Sequence, residues 1–179
     1  MSSRNSGWLV VVLMVGVGLL QPPLAASELS DDELRMKERV IALSRKDASL
    51  ADLRIELMDG GAITGERMAL YTIAGGKIVS QAWDAPGSPE KDSERAVTDE
   101  EVRALLRELV AKRYWTFQGT QFSPDADSFL FRFHDKDLQP VEYSCDAAEY
   151  RQSPQRSAIR SVLLNFVSGA SPTAQPVTH

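Results

Sequence analysis

Cysteine and histidine are scarce in this chain of 179 residues, which contains one cysteine, Cys145, and two histidines, His134 and His179. A single cysteine cannot form a disulfide within the chain, so packing must stabilise the fold. Zinc sites of the Cys/His type lack enough ligands. The sequence also lacks a Gly-x-Ser-x-Gly nucleophile elbow and a glycine-rich phosphate-binding loop. We therefore expect no cofactor and no metal site, and we assign no catalytic residue.

A Cys–His dyad would need Cys145 and His134 to meet. Apolar residues occupy every second position of the segment DSFLFRFH from Phe129 to Phe133, and of VEYSC from Val141 to Cys145. This spacing predicts a β-hairpin closed by DKDLQ. Its expected pairs are Phe129 with Cys145, Phe131 with Tyr143, and Phe133 with Val141 on one face, and Arg132 with Glu142 on the other. Five strand residues at ~3.3 Å each then separate His134 from Cys145 by about 17 Å, on opposite faces. Cys145 is thus predicted to be a small buried core residue.

The N-terminus has the pattern of an export signal. Arg4 precedes an apolar run from Trp8 to Leu20, and two prolines and small residues follow it. The run is short against the ~20 residues of a membrane-spanning helix. We expect residues 1–26 to be a cleaved signal peptide and the mature protein to reside in the periplasm or to be secreted, without membrane attachment.

Positive charge is in deficit, since 25 acidic residues outnumber 20 basic ones and the net charge is −5. Loss of residues 1–26 removes Arg4 and no acid, which makes the balance more negative. Nucleic-acid binding requires a basic surface, so we exclude nucleic acid as a partner.

Residues 27–51 are predicted to form a charged helical segment. Ser30 and Glu33 form a capping box, so the helix should begin at Asp31. The apolar stripe is thin and consists of Leu34, Val40, Ile41 and Leu43. This pattern predicts an exposed, loosely packed helix.

Residues 52–168 are predicted to form a single α+β domain. Its sheet should be antiparallel, with about five to six strands, and two amphipathic helices should pack on it. A strand in DLRIELMDGG precedes a hairpin that turns at Gly75 and Gly76 and could be covered on both faces. Residues 84–96 are rich in Pro, Gly and Ser and predict a loop. The helices should be capped by Thr98 and Ser153, and residues 169–179 should be a disordered tail.

An aromatic run, YWTFQGTQF, follows the first of these two helices, and its segment RYWTFQGT is predicted to be a strand. Tyr114, Trp115 and Phe117 are candidate binding residues, because aromatic side chains are enriched at the centres of interfaces. The alternative is that Trp115 and Phe117 cover the end of the helix as part of the core.

Residues 52–168 resemble a group of small exported bacterial domains of unknown function. The resemblance rests on YTIAGGKIV, on VTDEEVRALLRELVAKRYW and on DSFLFRF. It implies export and a fold made of a strand hairpin, a capped helix, a second strand hairpin and a helix, without implying an activity. Many members carry a cysteine pair near the first strands, which this chain lacks.

The sequence therefore favours an exported, non-catalytic binding or envelope-accessory module whose partner is another envelope protein. One alternative is a small-ligand carrier with an apolar cavity between helix and sheet, lined by residues such as Phe131 and Tyr143. Another is an acid-dependent hydrolase that would use Asp125, Asp127 and His134 and would need carboxylates with raised pKa values.

Overall fold

The fold is α+β, with helices packed on a six-stranded antiparallel sheet, as predicted. The computed structural model describes residues 29–60, 68–84, 88–117 and 128–169. The strands are β1 (Arg54–Gly60), β2 (Met68–Ala74), β3 (Lys77–Asp84), β4 (Ser88–Ala96), β5 (Ser128–Asp135) and β6 (Leu138–Asp146). The helices are α1 (Asp31–Ser44), α2 (Asp99–Ala111), α3 (Ala147–Gln152) and α4 (Pro154–Ser168), with a 3-10 turn at Tyr114–Thr116. The predicted signal peptide and residues 170–179 lie outside the described residues.

The strand order is β4-β3-β2-β1-β5-β6, so β4 and β6 form the two edges. Three successive antiparallel pairings join β1 to β4, and β5 lies on the free side of β1. The predicted register of the last hairpin is confirmed: Phe129 pairs with Cys145, Phe131 with Tyr143, and Phe133 with Val141. Their alternation places every one of these side chains in the core.

Aromatic rings fill the space between β5, β6 and the helices. The fully buried rings are Tyr114, Phe117, Phe129, Phe131, Phe133 and Tyr143. Phe131 and Tyr143 stack at 5.1 Å, while Tyr114 meets Tyr143 edge to face at 5.4 Å. Such contacts add to the free energy gained from burial itself.

The strand predicted for RYWTFQGT is wrong over its described part. Arg113 adopts a left-handed conformation (φ 54°), and Tyr114–Thr116 then form a 3-10 turn. This backbone reversal at the end of α2 directs the rings of Tyr114 and Phe117 into the core.

The helix ends follow the sequence signals. Capping boxes join Ser30 with Glu33 and Thr98 with Glu101. The last helix has Ser153 as its N-cap and Pro154 in its first turn. Gly169 closes it with φ 71°, a conformation that glycine adopts without strain.

The expectation of a loosely packed α1 is wrong. Met36, Val40 and Leu43 are fully buried in the same core as the sheet, whereas Leu34 is 43% exposed. These three residues are four and three positions apart and therefore share one helix face, which the predicted stripe missed by omitting Met36.

Polar contacts anchor α1 at its middle and its C-terminal end. Arg39 donates to the carboxylate of Asp135 at 2.7 Å, and Asp135 is almost inaccessible to solvent. Arg103 of α2 donates to the carbonyls of Leu43 and Ala48. The bond to Leu43 reaches a carbonyl in the last turn of α1, where helix carbonyls lack partners within the helix, and the bond to Ala48 holds the loop that follows.

The loop predicted for residues 84–96 is also wrong, since Ser88–Ala96 form the edge strand β4. The segment SPEKDSERA has no apolar alternation, and its register is set by main-chain pairing with β3. Charge and proline on an edge strand discourage pairing with another chain. Within the residues that the structure covers, no helix has the length and apolar character needed to cross a membrane.

Candidate ligand-binding cleft

The three aromatic residues considered for binding do not form a common surface. Tyr114 and Phe117 are fully buried, so neither has surface for a partner. Trp115 is half-buried, and the ammonium of Lys37 lies 4.4 Å from the centre of its ring. Only Trp115 keeps the accessibility that a recognition patch requires.

Cys145 and His134 lie on opposite faces of the sheet. The Cys145 thiol is buried and donates to the carboxylate of Glu149 at 3.5 Å. Burial raises its pKa to about 11, so the group remains a neutral thiol at ordinary pH. His134 Nε2 lies 2.9 Å from Glu56 on the other face. The structure thus separates the two residues, as the predicted register requires.

The carboxylate beside His134 has a pKa shift opposite to the one that the hydrolase hypothesis requires. Burial alone would raise the pKa of Glu56, but the hydrogen bond to His134 and the nearby charges of Arg54 and Arg132 outweigh it and lower the pKa. Asp125 and Asp127 lie outside the described residues. The described part of the chain contains no group of three or more His, Cys, Asp or Glu side chains suited to a metal ion.

The space proposed for an apolar carrier cavity is occupied by side chains. Phe131 and Tyr143 have no exposed surface and stack on each other. The two clefts described below are lined by other residues. The aromatic cluster is therefore a packed core at the position where the carrier hypothesis predicts a cavity.

An open cleft lies instead on the helix face of strands β2, β3 and β4. Asp59 marks this face, because its carboxylate binds Arg160 of α4. Strand pairing carries the same face across the sheet: Asp59 pairs with Ala69 and Ala69 with Ala82, while Tyr71 pairs with Ser80 and Ser80 with Ser93. The cleft has a volume of about 450 Å³ and is lined by Asp59, Ala69, Tyr71, Ser80, Gln81, Ala82 and Ser93.

The cleft exists because the inner positions of these strands change in size along the sheet. Near the β2–β3 turn, Ile73 and Ile78 pair with each other and are buried. Farther from the turn, the inner residues beside Tyr71 are small, and Ala69, Ala82 and Ser80 are half-buried. The expectation that this hairpin is covered on both faces is therefore wrong.

Helix α4 is hydrogen-bonded to Asp59, which lines the cleft, and to Arg95 of β4. At the middle of α4, both carboxylate oxygens of Asp59 accept hydrogen bonds from Arg160, at 2.7 and 2.9 Å. Near its end, Arg95 of β4 donates to the carbonyl of Phe166 at 2.6 Å. Arg95 lies two residues beyond Ser93 on the same strand face, so α4 is bonded on this face both to β1 and to β4.

The hydrogen-bonding groups in the cleft are mostly hydroxyls. Ser80 Oγ and Ser93 Oγ lie 2.6 Å apart on adjacent strands. Tyr71 contributes a phenol and is packed against the core. Small-molecule sites typically have volumes of roughly 300–1,000 Å³ and a few convergent polar groups, a description that this cleft fits.

A second cleft of about 340 Å³ lies at the opposite end of the sheet, beside the β2–β3 turn. Its lining comprises Ser49, Leu50, Ala51, Leu53, Ile73, Ala74, Gly75, Gly76, Asp99 and Val102. Most of these residues offer aliphatic or main-chain surface. We regard the β2–β4 cleft as the stronger candidate, because it combines an aromatic ring with convergent side-chain hydroxyls.

Sequence reasoning missed the cleft because its residues come from four strands and include β4, which was interpreted as a loop. The one available signal was the small size of Ala69, Ser80 and Ala82 at inner positions of a predicted hairpin. No protein-family model matches this chain, and no curated protein sequence matches it.

Proposed function

We propose that this protein is a non-catalytic binding module that acts in the periplasm or after secretion and holds its ligand in the β2–β4 cleft. The observation that carries the proposal is the uncovered helix face of these strands, with its small and hydroxyl-bearing side chains. The export part rests on the signal-like composition of residues 1–26.

The cleft is compatible with a stable free protein. Large apolar side chains left open to water on a sheet face lose the free energy of burial, about 25 cal/mol per Å². Alanine and serine side chains present little apolar area, so leaving Ala69, Ala82 and Ser93 uncovered costs little. The adjoining aromatic cluster and the strand pairings hold the cleft floor in place without a ligand.

Filling the cleft tests the proposal. In Ala82→Trp, an indole should occupy the cleft and abolish binding, whereas Ala96→Trp places the same side chain at an exposed position of β4 paired with Lys77. The measurement is hydrogen exchange of the purified protein with and without a fractionated envelope extract.

We expect the extract to slow exchange in β2 to β4 of the wild type and of Ala96→Trp, but not of Ala82→Trp. Protection that survives Ala82→Trp and disappears in Trp115→Ala would place the site at Trp115 and contradict the proposal.

A further inference from the structure

We infer that the ligand of the β2–β4 cleft is a neutral polyhydroxylated molecule, that is, a saccharide. The inference rests on the proposed function, because it names the chemical class that the same cleft would take. Three features carry it: the charge balance of the lining, the arrangement of its hydroxyls, and the absence of free main-chain groups in its floor.

The described residues that line the cleft offer no uncompensated charge to a ligand. Among the described residues that line it, Asp59 carries the only charge, and Arg160 matches it with two N–H groups. The side chains of Asp59 and Arg160 are about one-quarter exposed, so their pairing neutralises the wall and still leaves a carboxylate edge at the cleft. From these described lining residues, a charged ligand would gain no ion pair without breaking this one, which favours a neutral ligand.

The hydroxyls are arranged for a ligand with several hydroxyls of its own. A serine hydroxyl both donates and accepts, and the contact between Ser80 and Ser93 uses one hydrogen and one lone pair of the two groups. The remaining donor and acceptor capacity can meet neighbouring hydroxyls of a sugar ring.

Tyr71 complements this arrangement with an apolar ring that ends in a polar tip. Saccharides have the same dual character, since C–H groups lie on the faces of the sugar ring and hydroxyls lie at its edges. The alanine floor formed by Ala69 and Ala82 leaves room for such a flat ring.

An extended peptide fits the cleft less well. Peptides that bind sheets gain affinity from main-chain hydrogen bonds to a free strand edge. In the cleft, β2 and β3 are paired on both sides, so their main-chain groups are already used. The free main-chain groups of β4 lie in the plane of the sheet, at its edge, rather than in the cleft floor.

Calorimetric titration of the purified protein tests the class of ligand. The neutral probes are triacetylchitotriose, cellotriose and maltotriose; the charged probe is a heparin oligosaccharide, and the peptide probe is oligoalanine. The cleft variant is Ser80→Ala/Ser93→Ala, which keeps the shape of the floor. The matched control is Ser161→Ala, which removes a hydroxyl bonded to the Ser157 carbonyl on α4.

We expect at least one neutral probe to bind with a millimolar or lower dissociation constant. Loss of two hydroxyls should weaken its binding about tenfold, while Ser161→Ala should leave it unchanged. Binding should vanish in Ser93→Trp, whose exposed position makes it the safer blocking variant if Ala82→Trp does not fold.

The inference is overturned if none of the neutral probes binds, or if their binding ignores the loss of the two serine hydroxyls. It is also overturned if oligoalanine or heparin binds in their place. In any of these cases the proposed function would still stand if envelope extract slows hydrogen exchange in β2 to β4 of the wild type and Ala82→Trp abolishes this protection. The proposed function itself fails on a separate result: protection from hydrogen exchange by the extract that is the same in the wild type and in the variants Ala82→Trp and Ser93→Trp.

Discussion

Replacing Arg39 by methionine should lower the free energy of unfolding more than the partly exposed position of Arg39 on α1 suggests. Methionine keeps the aliphatic stem and removes the guanidinium that binds Asp135 at 2.7 Å. The Asp135 side chain is 2% exposed and would lose its ion-pair partner; among the described residues it would keep a 3.4 Å bond from the Asp137 amide. The variant therefore leaves a buried carboxylate without a counter-charge.

The burial of the two partners sets the expected size of the effect. Breaking a fully buried ion pair typically costs about 3–5 kcal/mol, because one charge remains desolvated. The Arg39 side chain is 26% exposed, so water can reach the space that the guanidinium vacates. We expect a loss of about 2–3 kcal/mol in the free energy of unfolding, below the range for a fully buried pair.

Urea unfolding followed by circular dichroism measures this loss. The control is Lys46→Met, which breaks a pair with Glu100. The two side chains are 64% and 57% exposed, so this change should lower the free energy of unfolding far less than Arg39→Met. The double variant Arg39→Met/Asp135→Asn should recover most of the loss, because a neutral amide replaces the buried charge. Equal effects of Arg39→Met and Lys46→Met would refute the reasoning and would mean that α1 is not anchored through Asp135.

Three further predictions concern the buried polar groups of the core. Tyr114→Phe should raise the free energy of unfolding by about 1 kcal/mol, because the hydroxyl that it removes is buried without a hydrogen-bond partner among the described residues; a lowered urea midpoint would contradict this. Cys145 should react with a disulfide reagent far more slowly than a free thiol at about pH 8 and should react fully in denaturant; rapid reaction of the folded protein would mean that the thiol is accessible. Stability should fall at alkaline pH. Burial raises the pKa of Cys145 to about 11 and raises the pKa of Tyr143 above its ordinary value. As the pH rises past the ordinary pKa values of these groups, they therefore ionise in the unfolded chain before they ionise in the folded protein. The loss should begin near those ordinary values and continue towards the raised ones, and urea midpoints measured against pH should decline less in Tyr143→Phe than in the wild type.

The sequence predicted the fold best where one face of a strand is buried in the core and the other face is directed away from it. Phe129, Phe131 and Phe133 occupy alternate positions and share one strand face, so a shift of one position would have exposed three rings, and only one register was reasonable. Helix starts were equally readable, because capping boxes are local signals that do not depend on the tertiary fold.

Edge structure was less predictable. In β4, both Asp92 and Ser93 are exposed although they point to opposite faces, so no hydrophobic pattern marks the strand. This strand forms because it pairs with the edge of β3, an interaction that belongs to the tertiary structure and leaves no local pattern in the sequence. The same applies to Tyr114, where a left-handed residue before it turned an apparent strand into a 3-10 turn.

The candidate site was hidden for a related physical reason. A cleft forms where side chains are too small to fill the space above a sheet. Ala69 and Ala82 give no such signal separately, and only the strand pairing shows that they lie side by side. The sequence favoured Tyr114 and Phe117 as binding residues because they are aromatic, but both are buried in the core. Small inner residues beside a covering helix are a more useful signal, although recognising them requires the strand register.

Amide NMR of the isotope-labelled protein during titration with triacetylchitotriose tests the central claim most directly. We predict saturable shifts concentrated at Tyr71, Ser80 and Ser93, with no comparable shifts at Trp115. Shifts centred on Trp115, or no saturable shift at millimolar saccharide, would contradict the claim that the β2–β4 cleft binds a neutral sugar.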